Sequence, residues 1–570
     1  MSPTIPGILN RSKMTGATRK IPMASAKIRT GSLIGREVGI RSRNSGSSEA
    51  VPGPYRPECT GTVELQLGSG DVGRALRIRI FRADRSQPVP APAPFLSHRS
   101  FMPSTSQSTP GRLLRRRQAS IGRTDPGVFL DRFEGESRGF WGRGNRWVAW
   151  AGTLHEFTIP DSAPEDRIEG RATPELPRDR RFVELRRQLR ALLGEWAGTA
   201  DGHGSPRVFG GFSFLAAPQS ASSWEGFPAA RFVLPRVLLR GGPDGCELWV
   251  QRLVAADEVD DEGVEGELDR LVRELDGIPV PPRVLVPRAS EVLTERNGEE
   301  REAWAAAVSA VLEAVRVGEL EKAVLARIQD LELDRAPAVG DLIRFLRHEN
   351  PRAHVFLFDF APGGTLFGAA PEVLAELRGG RLHATAVAGS AARGDDDESD
   401  RRQADSLLAS KKDRAEHRMT VDEMRDVLTD RVTGLQVADD PRILPLARIQ
   451  HLESPIEGAV REGEDVLTLV AALHPTPAVC GRPREAALRL IRAREPFARG
   501  WYAGPVGWFD LRGEGDFVPA LRVGVGYGRR WRLFAGAGIV EGSDPELEWE
   551  ETALKFEPAL RALRAGAAAP

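Results

Sequence analysis

The sequence predicts an α+β protein in which one large body of about 440 residues follows a long amino-terminal extension. From Gly127 onward, short apolar strand patterns alternate with amphipathic helix patterns and hairpin turns. Charged residues make up 28% of the 570-residue chain and hydrophobic residues 41%, a balance that is typical of globular proteins. The chain contains no apolar run of 18 residues, which argues against a membrane span.

Residues 1–125 differ in composition from the rest of the chain. They hold 21 Lys and Arg against seven Asp and Glu, and they are rich in Ser, Pro and Gly. This composition predicts a disordered, low-complexity basic extension, in which the strand-like patch Leu76–Ile80 is too isolated to form a domain. A targeting peptide, a nucleic-acid-binding tail and a dispensable extension ahead of a start at Met102 are the alternatives. We favour the dispensable extension, because no apolar signal region or repeated motif supports the other two.

Strands are predicted in the body where β-branched and aromatic residues cluster, at Trp147–Trp150, Arg207–Phe214, Arg231–Leu239 and Glu247–Gln251. Gly241–Gly245 predicts the turn between the last two strands.

Apolar residues at helical spacing predict helices over Phe182–Trp196, Arg301–Val317 and Ser399–Val432. Ser543 and Glu546 are spaced as a capping box at the start of a carboxyl-terminal helix, with Pro545 in its first turn. The proline-rich segment 279–287 predicts a link before the Arg301–Val317 helix.

Lysine is scarce, since only seven of the 79 basic residues are lysines, and the body holds four of them: Lys322, Lys411, Lys412 and Lys555. A GC-rich genome explains arginine wherever a positive charge suffices. A remaining lysine can mark a place where arginine cannot substitute, because arginine keeps its proton whereas a buried lysine can lose it. Lys322, between a helix and an apolar strand, is therefore a candidate general base. A surface ion pair with Glu319 or Glu321 is the equally weighted alternative.

Two groups of carboxylates have the spacing of shared helix faces. Asp413 and Glu416 form one pair, and Glu548 and Glu551, followed by Lys555, form the other. Each group alone is typical of a solvated salt-bridge face. Together they predict a hard cation such as Mg²⁺. The three cysteines are too few and too scattered for a zinc site or a disulfide framework.

The carboxyl-terminal half resembles the chorismate-utilising enzymes, a family of isochorismate, salicylate, anthranilate and aminodeoxychorismate synthases. The matching motifs follow one another in family order: Lys322–Arg327, Leu366–Leu374, Ala386–Ser390, Lys412–His417, His451–Ser454, Leu473–Gly481, Tyr502–Gly507, Ala520–Arg522 and Gly536–Val540. The resemblance implies two layers of antiparallel sheet flanked by helices. Residues 126–298 form the amino-terminal part of that fold, and residues 299–563 form the catalytic, chorismate-binding part.

The resemblance also implies a role for each matching residue. Lys322 is the general base that deprotonates water, and Glu372 is the general acid that protonates the departing hydroxyl. Glu416 and Glu551 are ligands of the Mg²⁺ cofactor, with Glu548 and Asp413 in the next shell through water. The implied substrate contacts are Gly389, Ser390, His451, Ala478, Tyr502, Arg522, Gly536, Gly538 and Lys555.

A lysine at position 322 marks the family members that add water rather than ammonia, and Leu473–Gly481 has the form found in isochorismate synthases. The resemblance therefore implies Mg²⁺-dependent conversion of chorismate to isochorismate, for menaquinone biosynthesis. The alternatives are isochorismate supply for a siderophore or salicylate, a salicylate synthase that also eliminates pyruvate, and an inactive chorismate-binding protein. We expect a cytoplasmic monomer or weak dimer whose partner is chorismate, with no nucleic acid and no membrane.

Overall fold

The computed structural model describes residues 112–161, 180–193, 205–215, 224–255, 261–276, 278, 292–295, 300–438 and 440–566, and two shorter strands before them. The chain divides into two compact units, Met1–Ser104 and Thr105–Pro570. In the first unit, β1 (Thr62–Leu65) and β2 (Leu76–Arg79) pair antiparallel. The remainder of the predicted extension up to residue 111, and the proline-rich link at 279–287, lie outside the described residues.

The ordered body begins earlier than the sequence predicted. Strand β3 (Arg112–Ile121) pairs along its full length with β8 (Gly245–Ala255). The prediction that a disordered extension runs to residue 125 is therefore wrong for residues 112–125. Arg116, which lies inside the predicted extension, is only 7% exposed, and its guanidinium lies 4.8 Å from the centre of the Trp249 ring.

The remaining strands are β4 (Arg138–Arg143), β5 (Arg146–Ile159), β6 (Arg207–Phe212), β7 (Ala230–Gly242), β9 (Val292–Glu295), β10 (Lys322–Leu333), β11 (His354–Asp359), β12 (Thr365–Ala370), β13 (Ala375–Arg378), β14 (Arg381–Ala392), β15 (Val432–Val437), β16 (Arg442–Pro445), β17 (Ile449–Val460), β18 (Gly481–Arg482), β19 (Pro505–Asp510), β20 (Gly515–Pro519), β21 (Val523–Tyr527) and β22 (Arg530–Ile539). The four strands and the turn predicted between residues 147 and 251 are confirmed within β5, β6, β7 and β8.

The described strands of the second unit form two antiparallel sheets that share β7. One sheet follows the order β9-β10-β22-β21-β12-β11-β4-β5-β7-β8-β3, and the other the order β7-β6-β19-β20-β13-β14-β17, with β15 and β16 also paired to β17. Strand β7 pairs with β6 near Ala230 and with β8 near Gly242. Its length therefore lets one strand belong to both layers.

The helices are α1 (Pro126–Arg132), α2 (Arg180–Leu193), α3 (Asp261–Leu275), α4 (Glu300–Arg316), α5 (Val339–Glu349), α6 (Asp397–Ala409), α7 (Lys411–Thr429), α8 (Val466–Leu473), α9 (Arg484–Arg494) and α10 (Pro545–Gly566). Helices α1, α3, α5 and α10 pack on the first sheet, and α2, α7 and α8 on the second. A third apolar core contains residues from both sheets, together with α4 and α9. This arrangement confirms the predicted α+β fold of two antiparallel layers flanked by helices. None of the described helices is long and apolar enough to cross a membrane.

Two helix predictions need correction. The helix expected over Ser399–Val432 is two helices, α6 and α7, because Ser410 adopts an extended conformation between them and its hydroxyl caps α7 at the Asp413 amide. Helix α10 is capped by Asp544, whose carboxylate accepts hydrogen bonds from the amides of residues 546 and 547, and not by Ser543. The Ser543 hydroxyl accepts instead from the Val540 amide. The helices predicted at Phe182 and Arg301 are confirmed as α2 and α4.

Candidate active site

A cleft of about 700 Å³ lies where β10, β14, β17 and β22 meet α7 and α10. Twelve of the fifteen predicted site residues line it; Lys322, Asp413 and Glu548 lie behind its wall. The lining residues are Val324, Pro371, Glu372, Val387, Ala388, Gly389, Ser390, Glu416, His451, Ala478, Val479, Tyr502, Leu521, Arg522, Phe534, Ala535, Gly536, Gly538, Glu551 and Lys555. The fold therefore brings together motifs that are far apart in the sequence.

A bulge in β14 shapes one wall of the cleft. The register of β14 against β17 shifts between Ala388 and Ser390, so that Ser390 faces His451. Gly389, at the bulge, has a φ of +76°, and a Cβ there would lie 3.0 Å from the Cβ of Asp413. Both the backbone conformation and the close approach of α7 therefore favour glycine at this position.

His451 and Arg522 form a buried pair on the cleft wall. Arg522 donates from Nη2 to Nε2 of His451, and because arginine has no acceptor, the imidazole proton must lie on Nδ1. Nδ1 then donates to the Gly389 carbonyl at 3.1 Å. Burial, reinforced by the charges of Arg522 and Lys555, lowers the pKa of His451 well below its usual value, so this imidazole is neutral at pH 7. Burial also lowers the pKa of Arg522 to about 10, which still leaves the guanidinium charged.

Tyr502 and Arg522 are held by two loops that bond to each other. The Ala503 amide donates to the Ala520 carbonyl at 2.9 Å, and the Ala520 amide donates to the Gly504 carbonyl at 2.8 Å. Ala503 and Arg522 have φ values of 61° and 53°, which are the two positive values among the described non-glycine residues. Backbone conformations of this kind are found where a functional site over-determines the chain.

The Tyr502 ring is buried and stacks on Phe534, with ring centres 5.1 Å apart. Burial raises the pKa of its phenol, so the hydroxyl remains a neutral hydrogen-bond donor at ordinary pH. A Cβ on Gly536 would lie 2.7 Å from this hydroxyl. Glycine at position 536 therefore leaves room for the phenol at the cleft.

Lys322 begins β10 and is completely buried. Its Nζ lies 2.9 Å from Oε1 of Glu416, in an ion pair that does not have the alignment of a hydrogen bond. The alternative of a surface ion pair with Glu319 or Glu321 is wrong, and Glu321 pairs with Arg482 instead. Lys322 lies one layer behind the cleft surface, next to Glu416.

Gly538 allows Lys322 and Glu416 to approach each other. A Cβ at this position would overlap Oε1 of Glu416 and would lie 2.8 Å from Cε of Lys322. Any larger residue would therefore displace one partner of the ion pair.

Glu372 follows β12 and is 1% exposed at the cleft. Its Oε1 has no hydrogen-bond partner among the described residues. Burial raises the pKa of this carboxyl to about 8, although the positive charge of Lys322 opposes the rise. Glu372 is therefore protonated at pH 7 and can donate a proton to a group bound in the cleft.

Each of three predicted metal-site glutamates is ion-paired with a different lysine. The nitrogen–oxygen distances are 2.9 Å for Lys322–Glu416, 2.7 Å for Lys412–Glu548 and 2.6 Å for Lys555–Glu551. The fourth carboxylate, Asp413, bonds to the Ser410 hydroxyl.

The same carboxylates form one electrostatic cluster. Burial, and then the charge of Glu551, raises the pKa of Glu548. Burial and the charges of Glu416 and Glu551 likewise raise the pKa of Asp413. Although burial opposes it, the pairing of Glu551 with Lys555 lowers the pKa of Glu551. The carboxylates of α7 and α10 are therefore close enough to repel one another.

The donor set of this cluster has the chemistry of a hard-cation site, because it offers only oxygen ligands. As the side chains stand, no group of three or more His, Cys, Asp or Glu within the described ranges is arranged to hold a metal ion. The lysine pairs account for this arrangement, since Glu416, Glu548 and Glu551 each point toward an ammonium group. The donors are of the type that Mg²⁺ takes, and each of the three glutamates would have to exchange its lysine for the ion.

A buried ion pair that the sequence did not reveal supports the site from behind. Arg499 pairs with Glu495 and donates to the carbonyls of Val324 at 2.7 Å and Val479 at 2.9 Å. Glu495 accepts from the Ala326 amide at 2.8 Å. The pair therefore ties β10 to the loop that carries Ala478 and Val479. The spacing of residues 495 and 499 was the available signal, but the segment has no helical pattern that would make it stand out.

Comparison with known proteins identifies the family. The profile described as "Chorismate binding enzyme" matches residues 168–564. The chain belongs to the chorismate-binding enzymes. The resemblance that the motifs predicted is therefore confirmed, and the match extends through the region that holds the cleft.

Individual members of the chorismate-binding enzymes agree with this assignment. The chain is 34% identical over 358 residues to "Isochorismate synthase MenF" of Bacillus subtilis, which covers 63% of this chain and 74% of that protein. It is 35% identical over 393 residues to "Salicylate biosynthesis isochorismate synthase" of Pseudomonas aeruginosa, which covers 68% and 80%. The solved structure of MenF, the menaquinone-specific isochorismate synthase from Escherichia coli, matches with a TM-score of 0.63 and 25% identity, over 80% of this chain and 95% of that one.

Proposed function

We propose that this chain is an isochorismate synthase that converts chorismate to isochorismate. The observation that carries the proposal is the protonated Glu372, buried at the cleft and in electrostatic contact with the buried Lys322. An acid and an amine at one enclosed site are the two groups that exchange of a hydroxyl for water requires. The names of the relatives in Bacillus subtilis and Pseudomonas aeruginosa support the same reaction.

In the proposed reaction, the oxygen of a water molecule forms a bond to ring C2 of chorismate while Lys322, as a neutral amine, takes the proton of that water. The ring double bond shifts, the bond from C4 to its hydroxyl breaks, and Glu372 supplies the proton with which that hydroxyl leaves as water. The step ends with an ammonium at Lys322 and a carboxylate at Glu372, and their attraction stabilises this product state. Lys322 is the ammonium of an ion pair with Glu416 in this structure, so it must lose that contact and one proton before it can act as a base.

Arg522 and Tyr502 are proposed to hold the enolpyruvyl carboxylate. The guanidinium of Arg522 is charged, lines the cleft and is fixed by its contact with His451. A planar guanidinium fork matches the geometry of a carboxylate. Tyr502 adds a neutral hydroxyl donor on the same wall, and the amides near Gly389, Gly536 and Gly538 add backbone donors. Neutral His451 contacts the ring without adding a charge.

Glu416 and Glu551 are proposed to hold Mg²⁺, with Glu548 and Asp413 binding through water. The oxygen-only donor set and the crowding of four carboxylates support this assignment. When bound, the ion supplies positive charge that binds the ring carboxylate of chorismate. Lys555 is positioned beside it by its contacts with Glu551 and with the Gly536 carbonyl at 2.9 Å.

We propose menaquinone biosynthesis as the pathway, supported by the likeness to MenF of Bacillus subtilis and to the solved structure of the menaquinone-specific MenF of Escherichia coli. Supply of isochorismate for salicylate or a siderophore is the second candidate, favoured by the Pseudomonas aeruginosa relative. Complementation of strains that lack one or the other isochorismate synthase separates these two roles. Growth restored only in the menaquinone-deficient strain is the expected result, and growth restored only in the siderophore-deficient strain would reverse the choice.

The reaction is tested by incubating the purified full-length chain with chorismate and Mg²⁺ and separating the products by chromatography. Isochorismate is the expected product, and Lys322→Ala should abolish its formation while Lys411→Ala, at an exposed lysine of α7, leaves it unchanged. Salicylate formed without a second enzyme would indicate a salicylate synthase. A folded chain that gives no product would indicate an inactive chorismate-binding protein.

A further inference from the structure

Lys412 interacts with several carboxylates of the cluster at once. Its Nζ donates to Oε1 of Glu548 at 2.7 Å, and the Glu548 side chain is only 3% exposed. The charges of Glu548, Glu416 and Asp413 raise the pKa of Lys412 against the opposing effect of burial. Lys412 in turn lowers the pKa of Glu551. This one ammonium therefore interacts with all four carboxylates of the cluster.

The other two lysines, Lys322 and Lys555, each pair with a single carboxylate. Lys322 pairs with Glu416 from inside the protein, and Lys555 divides its bonds between Glu551 and the Gly536 carbonyl. Both also carry roles in the proposed reaction. Lys412 does not line the cleft and is 36% exposed along its side chain, so it has room to swing toward solvent. Its position at the start of α7 leaves the stem of the side chain free to move without disturbing the helix.

We propose that the Lys412 ammonium is a counter-charge that neutralises the carboxylate cluster in the metal-free protein and moves away when a divalent cation binds. This inference rests on the proposed metal site and adds to it a residue that sets the affinity of that site. Four carboxylates with no cation nearby would repel one another at short range. Lys412 stabilises the empty cluster, and the same contact must break before Glu548 can turn toward a bound ion.

This arrangement has a definite consequence for binding. A hydrogen bond to a charged group contributes about 1.5–3 kcal/mol net, and binding of the ion must include its loss. Removing the ammonium should therefore tighten binding of Mg²⁺ by roughly ten- to a hundredfold. It should also lower the melting temperature of the metal-free protein, because Glu548 would be left buried and uncompensated. A residue that only oriented Glu548 toward the metal would have the opposite effect on affinity.

The test is calorimetric titration of MgCl₂ into the metal-free full-length chain and into three variants. Lys412→Gln removes the ammonium, Lys412→Arg keeps a positive charge, and Lys411→Gln changes the exposed neighbouring lysine as the matched control. Melting temperatures with and without Mg²⁺ provide a second readout that does not depend on turnover. In a Glu548→Gln background, where the partner carboxylate is gone, the effect of Lys412→Gln should shrink to that of Lys411→Gln.

Tighter Mg²⁺ binding by Lys412→Gln, with Lys412→Arg within a few-fold of the wild type, supports the counter-charge role. Unchanged or weaker binding by Lys412→Gln would overturn it while leaving the proposed reaction intact. Absence of saturable Mg²⁺ binding by the wild-type chain would instead overturn the proposed metal site itself, and the counter-charge role with it.

Discussion

Replacement of Glu372 by glutamine should change the turnover and the stability of this protein in opposite directions. Glutamine has nearly the same shape as glutamic acid but is neutral at every pH and cannot donate a proton as an acid does. Glu372 is buried, and its pKa is raised from 4.5 to about 8. Glu372→Gln should therefore lower turnover while making the folded state more stable at neutral and alkaline pH.

The magnitude follows from the pKa of Glu372 in the two states. In the unfolded chain the carboxyl loses its proton near pH 4.5, whereas in the folded protein it keeps the proton up to about pH 8. Folding therefore takes up a proton between these values, so this contribution is complete below pH 4.5 and is lost as the pH rises through 8. Between pH 5 and pH 8 the stability of the wild type should fall by about 3–4 kcal/mol relative to Glu372→Gln.

Denaturant unfolding of both proteins at pH 5 and pH 8 measures this difference. Glu376→Gln is the matched control, because Glu376 lies on the next strand along the chain, β13, and is partly exposed. Turnover of chorismate should fall by about 10²–10⁴-fold in Glu372→Gln, the usual contribution of a general acid. Wild-type turnover should decline above about pH 8 as Glu372 ionises. A stability difference that does not change with pH, or near wild-type turnover in Glu372→Gln, would refute the assignment of Glu372 as a buried acid.

Two further substitutions test residues that keep the groups of the cleft in position. Gly538→Ala should reduce turnover at least a hundredfold and destabilise the fold by about 1–3 kcal/mol, because the new Cβ overlaps Glu416 and crowds Lys322. Gly266→Ala, in open space on α3, is the control. Equal turnover in both variants would contradict the crowding. Arg499→Met should lower the free energy of unfolding by about 3–5 kcal/mol, because Glu495 becomes a buried, unpaired carboxylate. Replacement of both Arg499 and Glu495 should lower the free energy of unfolding, measured in urea, by less than the two single replacements added together. A loss equal to that sum would show that the ion pair is not the cause.

The motifs that carried the family resemblance lie together in one cleft, and a physical reason explains why they could be recognised in the sequence. Several of the predicted residues are glycines at a bulge or at a close contact, where the backbone itself dictates which residue fits. Gly389 at the β14 bulge and Gly536 beside the Tyr502 hydroxyl are examples. Such constraints are local, and they leave short, recognisable motifs in the sequence.

The contacts between motifs could not be predicted in the same way. Lys412 and Glu548 are separated by 136 residues, and no pattern in either helix indicates that they pair. The basic composition of residues 1–125 predicted disorder up to Asp125, and only the pairing of β3 with β8 shows that residues 112–121 belong to the sheet. The break at Ser410 depends on one hydroxyl capping one amide, which competes with an otherwise continuous helical pattern.

In the proposed reaction, solvent water that is activated in this cleft becomes the new hydroxyl at C2 of the product. The most direct measurement is the mass of isochorismate formed from unlabelled chorismate by the full-length chain with Mg²⁺ in water enriched in oxygen-18. We expect one oxygen-18 atom per product molecule, located at C2. An isochorismate product without the label, or no isochorismate at all, would contradict it.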